Sequence, residues 1–207
     1  MSTLIKYPRT YHVPWSPGVS TDDKVQHDLS YFEGQNVVVT VKMDGENTTM
    51  YHDHIHARSL DTKSHPSRDW IKQFHASIRH DIPTTLRVCG ENLYAQHSIR
   101  YNSLESYFLC FSIWEGPTCL DWSDTVEWCE LLGIRTVPVL YQGLWNVDTI
   151  KGLQGQLGGN EGYVVRPLNS FTQDQFQRCV VKYVRANHVQ TNTHWMHKEV
   201  VPNTLIS

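Results

Sequence analysis

Apolar positions along the chain fall into short runs, most with the length and spacing of strands. Val37-Val-Val-Thr-Val41 is a nearly unbroken apolar run ending at Lys42, and it predicts a buried strand. After Asp44-Gly45, the segment Thr48 to His56 predicts a second strand, in a hairpin or closely connected pair with the first. Leu86-Arg-Val-Cys89 predicts a strand running into Gly90-Glu91. Tyr107 to Trp114 is almost entirely apolar or aromatic, as a central strand would be. Val137 to Tyr141 predicts a short strand, with Pro138 placing it at a sheet edge. Tyr163-Val-Val-Arg166 and Cys179 to Val184 predict two more. Helical spacing is confined to three places. Trp70, Ile71, Phe74 and Ile78 recur at helical intervals within Asp69 to Arg79, after Pro66 and Ser67. Asp121 to Leu132 has an acidic start and Gly133 as its stop. Val147 to Leu153 predicts a weaker helix. Residues 1 to about 30 are broken by Pro8, Pro14, Pro17 and Gly18 and predict turns. Strands outnumber helices without strict alternation, so the expected fold is α+β, with antiparallel sheets and flanking helices.

Composition narrows the field. The chain has 207 residues, enough for one domain with a real core. Apolar residues make up 40% and charged residues 19%, which argues against disorder. No apolar run approaches the roughly 20 residues of a membrane helix, and the N-terminus lacks a signal-peptide core, so a cytoplasmic location is expected. The five cysteines lack any C-x-x-C spacing, which argues against a zinc ribbon or a disulfide framework. Cys89, Cys110 and Cys179 lie in apolar runs and are expected to be buried thiols. The net charge of −3 argues against a broad basic nucleic-acid surface but leaves room for a local basic groove.

Four strings carry candidate chemistry: Lys42-Met-Asp-Gly-Glu-Asn47, Gly90-Glu91-Asn92, Glu161-Gly-Tyr-Val-Val-Arg166 and Val180-Val-Lys182-Tyr-Val-Arg185. Each alone is weak, because Asp-Gly is an ordinary turn dipeptide. Their order and their placement at strand ends are more specific. A lysine ending a buried strand is partly desolvated, and burial with nearby cations is expected to lower its pKa and expose a neutral amine. Lys182 and Arg185 could neutralise phosphate oxygens. Glu91 and Glu161 could serve a ribose hydroxyl and a divalent cation. Gly90 is expected to permit close approach of a ligand. The set points to phosphoryl or nucleotidyl transfer, and neither a Walker loop nor a G-x-G-x-x-G string is present.

These strings resemble the covalent nucleotidyltransferases, comprising DNA ligases, RNA ligases and mRNA capping enzymes. The resemblance covers about residues 37 to 190 and implies a ligase-type adenylyltransferase domain. It implies that Lys42 attacks the α-phosphate of ATP with Mg2+ or Mn2+ and becomes adenylated. The AMP then passes to a 5′-phosphate end, which a 3′-hydroxyl attacks. Asn47 resembles its counterpart in ligases that seal nicks in duplex RNA. By the same resemblance Arg58 contacts phosphate, Glu91 holds the ribose, Phe111 stacks on adenine, Glu161 serves the metal and Lys182 lies near the α-phosphate. Thr40 and Val41, which lead into Lys42, join the expected nucleotide site. Tyr7-Pro-Arg-Thr-Tyr-His-Val-Pro-Trp-Ser-Pro-Gly18 and Lys182-Tyr-Val-Arg-Ala-Asn-His-Val-Gln190 resemble a compact phage and bacterial group of RNA ligases.

The last motif departs from the usual K-x-K. Arg185 stands one position late, which on a strand turns it to the other face. The expected organisation is a single domain, with a turn-rich segment over 1–36, a catalytic core over 37–190 and a tail over 191–207. No separate OB-fold or C-terminal domain is expected, so the domain seals RNA ends alone or a protein partner supplies further grip. A DNA ligase, a GTP-dependent capping-type transferase and a non-catalytic end-binding subunit stand as alternatives. His52, His54 and His56 alternate and are expected to share one strand face, exposed rather than metal-binding. His188, His194 and His197 have no evident ligand partner and could meet phosphates or solvent. Arg9, His12 and Ser16 could help bind a 5′-phosphate or simply form turns.

Overall fold

Val37, Val38 and Val39 are fully buried, because the strand they open is covered on both faces. Val37 and Val39 join one apolar cluster with Phe32, Tyr163 and Tyr183, while Val38 and Val41 join another with Leu109, Trp122 and Val137. An unbroken apolar run is the sequence signature of such a strand.

The computed structural model describes residues 3–60, 64–188 and 199–206. In chain order, β1 (Tyr11–His12) is followed by β2 (Asn36–Lys42), β3 (Glu46–Met50) and β4 (Ile55–Ala57). Helix α1 (Asp69–Ile78) precedes β5 (Leu86–Asn92), β6 (Phe108–Glu115) and β7 (Thr118–Cys119). Then come α2 (Trp122–Leu131), β8 (Arg135–Thr136), β9 (Val139–Leu144) and α3 (Val147–Gly152). The last elements are β10 (Gly162–Pro167), β11 (Phe171–Thr172), α4 (Phe176–Cys179) and β12 (Val181–Val184).

Two sheets result. The first has the order β1-β12-β10-β2-β9, antiparallel except where β1 runs parallel to β12. The second has the order β11-β7-β6-β5-β3-β4, with β8 parallel to β6. This is the α+β architecture expected from the pattern. β9 does lie at a sheet edge, as Pro138 suggested. Lys42 ends β2 in the first sheet and Glu46 begins β3 in the second, so Met43-Asp44-Gly45 is the crossing between sheets.

Three local expectations need correction. The run from Thr48 to His56 is two strands rather than one, because Tyr51 to His54 forms the turn of a hairpin closed by Tyr51 N–H donating to the His54 carbonyl at 2.8 Å. His52, His54 and His56 therefore do not share a face: His56 is buried, His52 half-buried and His54 exposed. Cys179 ends helix α4 rather than opening β12, because the Val180 N–H donates to the Phe176 carbonyl and continues the helical turn. All five cysteines are free and buried. Among the described residues no helix is long and apolar enough to cross a membrane.

Candidate active site

A cavity of about 520 Å³ opens between the two sheets, and most of the expected site residues line it: Thr40, Val41, Lys42, Asn47, Arg58, Glu91, Phe111 and Lys182. Two do not. Glu161 lies just behind the wall, and Arg185 follows the end of β12 away from the lining. Arg185 Nε is buried with no partner among the described residues, while its backbone N–H donates to the Glu161 carbonyl at 3.0 Å.

Lys42 pairs across the sheet with Gly162, and this register brings its ammonium to the residue before that glycine. Lys42 Nζ donates to Glu161 Oε2 at 2.6 Å. The expected lowering of the Lys42 pKa is reversed here. Burial does oppose the charge, but the Glu161, Glu91 and Asp44 carboxylates outweigh it and hold the pKa above the ordinary lysine value. The resting side chain is therefore an ammonium.

Asp44 is fixed from three directions. Its Oδ2 accepts the Ser98 and Ile99 N–H groups at 2.8 and 2.7 Å, and its own N–H donates to the Tyr101 hydroxyl at 2.9 Å. Glu91 Oε1 accepts the Gly45 N–H at 3.1 Å. Burial pushes the Glu91 pKa up to about 8, with Lys42 opposing and Glu161 and Asp44 adding to the rise. Glu91 thus keeps its proton at neutral pH and can donate a hydrogen bond.

Gly90 serves packing rather than ligand approach, correcting the sequence reading. It is not part of the cavity lining, and a Cβ there would lie 2.4 Å from the Phe108 ring and 2.5 Å from the Leu109 carbonyl. The bulge beside it has a larger effect. Cys89 pairs with Ser112 and Gly90 with Cys110, which leaves Phe111 as the unpaired extra residue of β6. A bulge of this kind re-aims its side chain. Phe111 faces the cavity, with Tyr7 edge-on to it at 5.2 Å between centroids. Phe108 and Trp114, which sequence could not separate from Phe111, are fully buried core.

Cations from both sheets join the cavity lining. Arg58 Nε donates to the Tyr7 carbonyl at 3.4 Å, and its backbone N–H donates to the Asn47 carbonyl at 2.9 Å. Burial, then the neighbouring Arg9, depress its pKa. Arg68 is already committed to Glu46, with Nε 2.8 Å from Oε2. The Asn47 side-chain oxygen is buried with no partner among the described residues. The local basic groove allowed by the net charge is present.

His188 is the residue that sequence reasoning failed to place. Its Nε2 lies 3.5 Å from Glu161 Oε1 and 3.8 Å from Asp44 Oδ1. Among the described residues this trio is the grouping able to hold a metal ion, with ligand atoms within 4.8 Å of one another. The two carboxylates suit a hard divalent cation such as Mg2+ or Mn2+, and the imidazole adds a nitrogen ligand of the kind softer divalent ions take. Only the folded chain joins positions 44, 161 and 188, so no local spacing could signal them. His194 and His197 lie outside the described residues.

A family model for RNA ligase matches residues 35–184. The chain belongs to the RNA ligase family. Solved structures share the fold. An archaeal ATP-dependent RNA ligase superposes with a TM-score of 0.57 at 16% identity, over 88% of this chain and 48% of that one. A lysine-to-alanine variant of a Naegleria gruberi RNA ligase, solved with ATP and Mn, gives 0.52 at 20% identity, over 76% and 52%. A glutamate-to-alanine variant of the same ligase, with AMP and Mn, gives 0.50 at 17% identity over the same shares. This family member spans about half the length of those chains. A search of curated proteins found no match.

Proposed function

We propose that this RNA ligase family member is an ATP-dependent RNA ligase that joins 5′-phosphate and 3′-hydroxyl ends through AMP carried on Lys42. The observation that carries this reading is the Lys42 amine at the cavity wall, 2.6 Å from a buried Glu161 carboxylate. The Lys42 nitrogen attacks the α-phosphorus of ATP. Glu161, already in contact, first takes one proton from the resting ammonium and frees the nitrogen lone pair; as the N–P bond forms and the bond to pyrophosphate breaks, the nitrogen's second proton leaves with the pyrophosphate. Lys182 and Arg58 face phosphate oxygens, and Phe111 offers its ring to adenine. Glu91, protonated at neutral pH, donates to a ribose hydroxyl. Asn47, with its unpartnered oxygen, takes a donor from the nucleotide or from the RNA end.

Asp44, Glu161 and His188 would hold a divalent cation, which supplies positive charge toward the phosphates of ATP. Arg185 acts through its backbone bond to Glu161 rather than through a phosphate contact. Residues 37–190 are the catalytic core in this reading.

Sealing of a 5′-phosphorylated RNA nick tests the reading. ATP-dependent joining of RNA ends, lost in Lys42→Ala, is the expected result. Joining confined to DNA ends, or driven by GTP alone, would contradict it.

A further inference from the structure

The turn-rich N-terminal segment brings a buried chain of polar groups onto Lys182. β1 lies parallel to β12, with Tyr11 opposite Val181 and His12 opposite Lys182. The His12 backbone bonds the Lys24 carbonyl and the Gln26 N–H, both at 2.8 Å, which folds the intervening chain back over β12. Asp23 then lies with Oδ1 3.4 Å from Lys182 Nζ and Oδ2 3.3 Å from His12 Nε2. On its other side, His12 Nδ1 is 2.7 Å from Ser16 Oγ, which accepts the Val184 N–H at 2.9 Å. His12 is fully buried, so it does not meet a phosphate directly, and Ser16 is buried with it.

Ser16 Oγ accepts the Val184 N–H, and its own hydrogen lies within reach of both His12 Nδ1 and the Val184 carbonyl, 3.3 Å away, while His12 Nε2 faces Asp23. That contact lies off the hydrogen-bond line, so it is an electrostatic contact rather than an aligned bond. Burial, then Lys182, push the His12 pKa down to about 4, and the ring is neutral. Burial works against the Asp23 charge, but the Ser20 hydroxyl and Lys182 overcome it and hold its pKa at about 2. Each cavity lysine thus has its own carboxylate: Glu161 for Lys42 and Asp23 for Lys182.

We propose that Asp23, backed by the neutral His12–Ser16 pair, is the positioning residue that keeps Lys182 charged and turned into the cavity beside Lys42. The role of that charge in catalysis rests on the ligase reading; the pairing does not. The groups facing Lys182 are Asp23 and His12 from the N-terminal segment, Lys42 from β2 and Glu161 ahead of β10. Burial, then Lys42, lower the Lys182 pKa, while Asp23 and Glu161 oppose them. The lowering forces already prevail with Asp23 in place, and its loss would carry the Lys182 pKa further down.

The test is the pH dependence of amine acylation by acetic anhydride at trace level on the intact protein, read at Lys182 by peptide mass spectrometry. This measurement needs no ligase activity. In Asp23→Asn the Lys182 midpoint should fall by about 1 pH unit or more, while Asp23→Glu and the exposed-site control Asp22→Asn leave it in place. If Asp23→Asn does not fold, Asp23→Ser, smaller and neutral, takes its place in the comparison. An unchanged Lys182 midpoint in the folded neutral variant would overturn the proposal. In an active enzyme the alkaline limb of the adenylylation rate should move down with that midpoint. A wild-type protein that never takes up AMP would count against the ligase reading and leave the acylation result intact.

Discussion

Three carboxylates surround the Lys42 amine, and their sum decides its charge. Glu161 is in contact, Glu91 and Asp44 are close behind, and together they outweigh burial. Burial, reinforced by Glu161 and Asp44 and opposed by Lys42, keeps a proton on Glu91, whose pKa rises to about 8. In the unfolded chain this carboxyl ionises near its ordinary value of about 4.3. Between those two values the folded state binds the extra proton, so stability falls as pH rises through the window. Glu91→Gln removes that loss. Its gain in Tm over the wild type should be small below about pH 5 and grow toward about pH 8.5, where each 1 kcal/mol is worth roughly 2–4 °C. Melting curves showing the same difference at every pH would contradict this. Lys42, Glu91 and Glu161 were legible in sequence because short strings at strand ends carry them. The charge on Lys42 was not, because it depends on carboxylates from three separate segments. Asp23 was missed for a related reason: its partner Lys182 is 159 positions away.

At the scale of elements, Asp44 depends on a segment far along the chain. Asn203 is buried, and its backbone N–H, backbone carbonyl, side-chain oxygen and side-chain nitrogen are all bonded. The partners are the Tyr94 carbonyl, the Tyr107 hydroxyl, the Tyr101 N–H and the Leu93 carbonyl, at 2.8 to 2.9 Å. Tyr101 in turn accepts the Asp44 N–H, so the 199–206 segment braces the crossing between sheets. Asn203→Ala leaves the Tyr101 N–H and the Leu93 carbonyl buried without these partners. It should destabilise the protein by about 2–4 kcal/mol, read from the urea midpoint; a loss under about 0.5 kcal/mol would show that the brace is dispensable. Sequence gave no sign of it, because one asparagine near a chain end has no local pattern. The main strands were readable from their apolar runs. Their ends were less so, since the turn at Tyr51 to His54 and the bulge at Phe111 are set by pairing with other strands.

Across the whole molecule, charge is sorted rather than abundant. A chain of net charge −3 collects Lys42, Lys182, Arg9 and Arg58 around one cavity between two sheets. The strings on Lys42, Glu91, Glu161 and Lys182 stand far apart in sequence, and the topology brings them together. Lys42 and Lys182 end or occupy strands flanking β10, Glu161 sits at the start of β10, and Glu91 reaches in from the second sheet. Covalent labelling reads that convergence chemically. The purified protein is incubated with α-labelled ATP and Mg2+ or Mn2+, digested, and the labelled peptide is mapped. Acid-labile AMP on the peptide holding Lys42, absent from Lys42→Ala, is the expected outcome. AMP on another residue, or labelling that survives in Lys42→Ala, would contradict it.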